Sequence, residues 1–289
     1  MPKHASVSRP KPSCCLVAPA VFAALAFGLC PAVSAQVPAP AAQSALAALP
    51  DAPQPQSAAA RPRDQSGEVT VRNSVHIFLH DQEAIWTSPA RLRTHDVVWL
   101  APFALAAGAA IATDHRAMSQ VVSKDPTFNS NNINVSDGLV GALTATPVVL
   151  FAKGQFGEDD HAREAGILGG EALGDGLVVC QAFKLVAWRE RPNVDSSRGR
   201  FFQSSAGVEG SFFSMHTTLA FAAASAVASE YPSPWTQIAV YSGATAVGVT
   251  RVLGQEHFPS DALAGAVTGW LIGHYVVKHH HHARAGNRQ

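Results

Sequence analysis

Three short stretches of the sequence hold cations and imidazoles at spacings that suit holding an anion beside an oriented imidazole. In the first, KLVAWRERP, Lys184 and Arg191 stand two helical turns apart, just ahead of Pro192. That spacing puts both side chains on one face of a helix that the proline then stops, which predicts a paired cationic claw. Arg189 and Glu190 point away from that face and read as a solvated surface pair. In the second, GSFFSMHTTLAFAAASA, Ser214 occupies the N-cap position of an apolar helix, followed by Met215 and His216. Free backbone N–H groups and the positive end of the helix dipole favour an anion there, beside the imidazole. In the third, TRVLGQEHFPSD, Arg251 falls in the last turn of one helix, Gly254 ends it and Pro259 opens the next. His257 is then left on the connecting loop, with Asp261 in the first turn of the new helix. From that place Asp261 reaches one ring nitrogen of His257, fixes its tautomer and leaves the other nitrogen bare as nucleophile or base.

Taken singly, the first two stretches have plain structural explanations: a surface stripe for Lys184 and Arg191, and a helix cap with an incidental histidine for Ser214 and His216. Taken in order, the three resemble the signature of the type 2 phosphatidic acid phosphatase and vanadium-dependent haloperoxidase superfamily. That pattern is Lys-x6-Arg-Pro, Pro-Ser-Gly-His, and Ser-Arg-x5-His-x3-Asp, and the resemblance covers residues 184 to 261. It departs from the pattern in the second motif, where Phe213 stands for the proline and Met215 for the glycine, and in the third, where Thr250 stands for the serine.

The resemblance implies an all-α fold and a phosphatase. Lys184, Arg191 and Arg251 would hold the nonbridging phosphate oxygens, with Ser214 and the backbone N–H groups around Met215 completing the cradle. His257, oriented by Asp261, would attack phosphorus and become a phosphohistidine, while His216 would protonate the leaving oxygen and later activate water. Three cations would supply the charge that Mg²⁺ supplies elsewhere, so no metal or other cofactor is expected and vanadate would act as an inhibitor. A haloperoxidase would instead keep vanadate as cofactor on His257. A non-catalytic membrane or scaffold protein would explain helices rich in small residues, but not motifs in this order. At Met215, a side chain fills space that a glycine leaves open to the anion, so it either loosens phosphate binding or reshapes the mouth toward an apolar substrate.

The elements that carry these motifs read as helical. Apolar runs punctuated by Gly, Pro and Asn predict a compact bundle of six main helices, near 96–113, 137–153, 164–189, 215–230, 235–253 and 259–278, with an Asn-rich loop before the second. The site would lie at helix ends on one side of this domain, which spans 96–278. Small residues, as in LAAGAAIA and FAAASAVAS, allow the helices to approach closely. Residues 67–95 form an amphipathic lead-in that could open with a short strand. Residues 1–35 read as an export signal, with Lys3, Arg9 and Lys11 before an apolar run and cleavage after Ala35; residues 36–66 read as an Ala/Pro-rich flexible linker. Residues 279–289 read as a polar tail, in which His279 to His282 carry incidental metal affinity.

Composition excludes some functions. The 289 residues are 47% hydrophobic and 15% charged with a formal net charge of zero, and no basic stripe interleaved with aromatics tracks a nucleic acid backbone. Cys14, Cys15 and Cys30 fall in the signal, so Cys180 alone remains and stability comes from packing. The expected partner is a phosphorylated small molecule or lipid, and the expected location is periplasmic or at the cell-envelope membrane. Any of Glu171, Asp175 and His274 that enters hydrocarbon must face the bundle interior. The sequence carries no mark of an oligomeric state.

Overall fold

The computed structural model describes residues 71–203 and 209–286; the export signal and the linker expected from the sequence lie outside them. The described residues form seven α-helices and no strand, an all-α architecture. The helices are α1 Val71–Thr87, α2 Val97–Arg116, α3 Pro126–Phe156, α4 Asp160–Ala187, α5 Met215–Glu230, α6 Pro234–Leu253 and α7 Pro259–Gly286. The six helices expected from the apolar runs are α2 to α7.

Three stretches differ from expectation, each for a local reason. The lead-in adds a further helix from Val71 on, where Ile77 and Ile85, at helical spacing, pack against the main core, while residues 67–70, at which a short strand could open, lie outside the described residues. The Asn-rich stretch belongs to α3 because Asp125 caps the helix earlier, accepting from the backbone N–H groups of Thr127 at 2.8 Å and Phe128 at 3.2 Å, with Pro126 in its first turn. The tail continues α7, and His279 stacks against Tyr275 with 5.2 Å between ring centroids.

α5 lies at the centre, with α3, α4, α6 and α7 packed around it. α7 approaches it most closely, through glycines spaced one per turn. A Cβ on Gly269 would sit 2.1 Å from the Thr218 carbonyl oxygen, and one on Gly265 would sit 2.7 Å from that of Ser214. This contact between backbones brings the starts of α5 and α7 together, where the Ser214 N–H donates to the Asp261 carbonyl at 3.1 Å. The ends of α4 and α6 reach the same side, so all three motifs meet there.

The outer surface is apolar in places. Among the described residues, α3 is the one helix long and apolar enough to cross a membrane by length and composition. Val148 and Val149 on it, Val186 on α4, Trp235 on α6 and Leu271 on α7 are all exposed.

Candidate active site

α4 ends at Ala187 because Trp188 takes a left-handed conformation, with φ 40° and ψ 50°. Lys184, buried in the last turn, donates from Nζ to the Gly210 carbonyl at 2.5 Å. Arg191 is therefore not on the same helical face, and the two-turn claw expected from the sequence does not form. The residue before a proline is also biased out of helical conformation, which suits Arg191 to the loop it occupies. There its Nε donates to the Glu209 carbonyl at 2.9 Å, and its guanidinium pairs with the carboxylates of Glu256 and Glu209. The loop returns Arg191 near enough for its charge to act on Lys184, His216 and His257.

Ser214 caps α5, and its buried Oγ accepts from the backbone N–H of Thr217 at 3.4 Å and from the Thr217 hydroxyl at 2.9 Å. His216, in the first turn of α5, meets Arg251 from the last turn of α6. Arg251 Nη2 lies 2.9 Å from His216 Nδ1 and 3.0 Å from Nε2, while Nη1 donates to Asp137 of α3 at 3.1 Å. Arg251 Nε is buried without a hydrogen-bond partner among the described residues, which leaves one donor for an anion. Burial, followed by the charge of Arg251 and then by His257, Lys184 and Arg191, pushes the His216 imidazole down to about 3. It is neutral in the ligand-free protein.

His257 sits on the loop between α6 and α7, as the breakers around it predict. Its Nδ1 lies 2.8 Å from the Ser211 carbonyl oxygen and 3.7 Å from Asp261 Oδ2. A carbonyl only accepts, so Nδ1 carries the proton and Nε2 keeps its lone pair. The nearer orienting partner is thus Ser211, not Asp261 as the spacing suggests. Complete burial lowers the imidazole below its usual range, against the pull of Asp261, and keeps the ring neutral.

Asp261 acts one step behind. Its Oδ2 accepts from the Ser211 hydroxyl and from the Phe258 N–H at 2.9 Å, and its Oδ1 accepts from Arg189 Nη1 at 2.5 Å. Arg189 is not a surface residue: it is 1% exposed, and its guanidinium lies 4.6 Å from the centre of the Phe201 ring and 4.2 Å from that of Phe258. Its Nη2 donates to Asp114 of α2 at 2.7 Å, and Nη1 also donates to the Ser260 hydroxyl at 2.7 Å. Glu190, the other half of the expected surface pair, accepts from Arg200 Nε at 3.4 Å with a side chain only 12% exposed. A signal for the buried arginine was present in Asp114. A carboxylate in the last turn of an apolar helix faces the negative end of the dipole and calls for a cation beside it.

Beside His216 and Arg251 opens a cavity of about 530 Å³, walled by Ile133, Val140, Met215 and Leu219 and edged by Asp137 and Glu256. The arrangement joins a cationic, donor-rich end to an apolar chamber. It is suited to an oxyanion carrying an apolar group.

Residues 166–284 match the PAP2 superfamily. A stretch of 65 residues is 42% identical to the lipid A 1-phosphatase of Porphyromonas gingivalis, covering 22% of this chain and 15% of that protein's length. No solved structure matches the chain.

Proposed function

From the PAP2 superfamily domain carried over residues 166–284, we propose that the protein is a metal-independent phosphatase of phosphorylated lipids, exported and associated with the cell-envelope membrane. The observation that carries this reading is the junction of Arg251 and His216 with the apolar cavity at Met215 and Leu219. Similarity to a lipid A 1-phosphatase and the exposed apolar surface of α3 support a lipid over a small polar ester.

In this reading the phosphate enters between Lys184, Arg191 and Arg251, where Arg251 Nε and the first backbone N–H groups of α5 supply donors. His257 attacks phosphorus through Nε2, forming the N–P bond as the bond to the leaving oxygen breaks. His216 delivers the proton that this oxygen needs. Burial and, after it, the nearby cations hold the His216 imidazole near 3; the negative charge of bound phosphate offsets the cations and raises it, so this acid becomes available only when substrate is present. His216 then takes a proton from the water that cleaves the N–P bond. Met215, on the cavity wall, shapes the entry of the apolar chain.

Phosphate release from a long-chain lipid phosphate in detergent, with EDTA present, tests the proposal. His257→Ala should abolish turnover. His216→Ala should accumulate acid-labile, base-stable phosphoprotein from p-nitrophenyl phosphate, whose leaving group needs no acid. Full loss of activity in EDTA from protein that stays folded by circular dichroism, or label on a residue other than His257, refutes the mechanism; bromide oxidation by vanadate-loaded protein without phosphate release favours a haloperoxidase.

The depressed His216 also gives a pH signature. Sulfate stays a dianion between about pH 5 and 7, so any proton taken up when it binds comes to the protein. Because the free imidazole titrates near 3 and the anion raises it, sulfate should bind more tightly as pH falls, with proton uptake by calorimetry that His216→Ala removes.

A further inference from the structure

A second polar cluster lies where α1, α4 and α7 meet. Asp81 and Asp175 are fully buried there, and Glu171 is 6% exposed. Single ligand atoms of Asp81, Glu171 and His280 lie within 4.8 Å of one another. Few donors reach these carboxylates. His280 Nε2 lies 3.0 Å from Asp81 Oδ2, Gln82 Nε2 donates to Asp175 Oδ1 at 2.8 Å, and His80 Nδ1 comes no nearer than 3.8 Å to Asp81 Oδ1. Both oxygens of Glu171, Oδ1 of Asp81 and Oδ2 of Asp175 have no hydrogen-bond partner among the described residues.

Buried carboxylates hold their charge only beside cations or strong donors. We infer that Asp81, Glu171 and His280 bind a divalent transition-metal ion of the Zn²⁺ kind, which ties α1 and the end of α7 to α4. Two carboxylates and an imidazole suit this class: the nitrogen ligand disfavours Ca²⁺ and Mg²⁺, and the absence of thiolate from the set disfavours soft ions. Ligand distances of about 2.0–2.2 Å to such an ion require only small rotations from the observed spread. The surroundings are already ordered. Trp86 Nε1 donates to Gln82 Oε1 at 2.9 Å, which fixes the amide that holds Asp175 beside the ion. Lys184 lies thirteen residues beyond Glu171 on the same helix, about 20 Å along its axis, so the ion is structural and independent of the phosphatase reading.

The test uses purified full-length protein stripped with EDTA, reloaded with Zn²⁺, freed of excess by gel filtration, and assayed for bound metal by mass spectrometry. One retained equivalent and a melting temperature raised by roughly 5–10 °C in excess Zn²⁺ are expected. Glu171→Gln and Asp81→Asn keep shape while removing buried charge, so both should fold, and both should lose the ion and the rise. A variant with His279, His281 and His282 all changed to Asn should keep both, which separates the buried site from the terminal histidine run. Retention of Zn²⁺ unaffected by Glu171→Gln and Asp81→Asn, loss of it only in the triple variant, or a rise given by Ca²⁺ or Mg²⁺ alone would each overturn the inference.

Discussion

The buried carboxylates gathered beside the C-terminal end of α4 and those gathered at its middle are treated in opposite ways. At the active-site end every carboxylate oxygen of Asp114 and Asp261 accepts at least one hydrogen bond, from Arg189, Ser211, Ser260 or a backbone N–H. Farther down the helix, Glu171 accepts none and Asp81 and Asp175 are each met at one oxygen only. The first pair has its charge settled within the protein, so it can hold other groups still without binding anything. The second cluster is left unsettled, and only something from outside the chain completes it. A carboxylate's meaning thus follows from its donors, and its burial alone does not tell a platform from a ligand set.

The largest effect should come from disturbing the platform where it touches the reaction. Asp261→Asn places an amide nitrogen against donors whichever way it turns, Arg189 on one side and Ser211 with the Phe258 N–H on the other. The fold should survive by circular dichroism. Ser211, however, would lose its fixed place, and with it the carbonyl that sets the tautomer of His257. Phosphate release should slow by about 10³–10⁴-fold, by analogy with the orienting carboxylate of hydrolase triads. A rate within tenfold of the parent would mean that Asp261 does not position the histidine.

Arg189→Met comes next. It leaves Asp114 and Asp261 buried without their shared cation, and a broken buried pair of this kind costs about 3–5 kcal/mol. Urea denaturation reads this directly. Arg189→Lys should recover part of the loss but not all, since one ammonium cannot reproduce a planar fork that serves two carboxylates and a hydroxyl. Equal stability of parent and Arg189→Met would dissolve the contrast between the clusters.

What the sequence made legible follows the range of the interactions. Ser214 as a cap, Gly254 as a stop and Pro259 as a start act within a few residues, so the helices bearing His216, Arg251 and His257 could be read directly. Lys184 with Arg191 was misread because the spacing argument assumes an unbroken helix, and Trp188 breaks it with a left-handed residue that no local rule favours. Arg189 escaped for a different reason. Its partners Asp114 and Asp261 lie 75 and 72 residues away, and adjacent charges such as Arg189 and Glu190 look solvated until the fold buries one of them. His280 looked like part of a tail because only α1, itself unassigned in the sequence, brings Asp81 to it.

The smallest effect sharpens the contrast by its sign. The same change, aspartate to asparagine, can be made once in each cluster and followed in EDTA. Asp114→Asn exchanges an acceptor for an amide nitrogen among Arg189 and the Ser260 hydroxyl and N–H, and should cost about 1–3 kcal/mol. Asp175→Asn keeps an oxygen for Gln82 Nε2, removes a buried negative charge, and offers a donor near the unpartnered oxygens of Glu171. It should therefore raise stability, by about 1 kcal/mol. Zn²⁺ should narrow or reverse that gain, because the ion uses the negative charge that the metal-free protein must tolerate. Two losses of similar size in EDTA would show that Asp175 is as well served by the protein as Asp114, and the far cluster would then be a second platform, with no need of an ion.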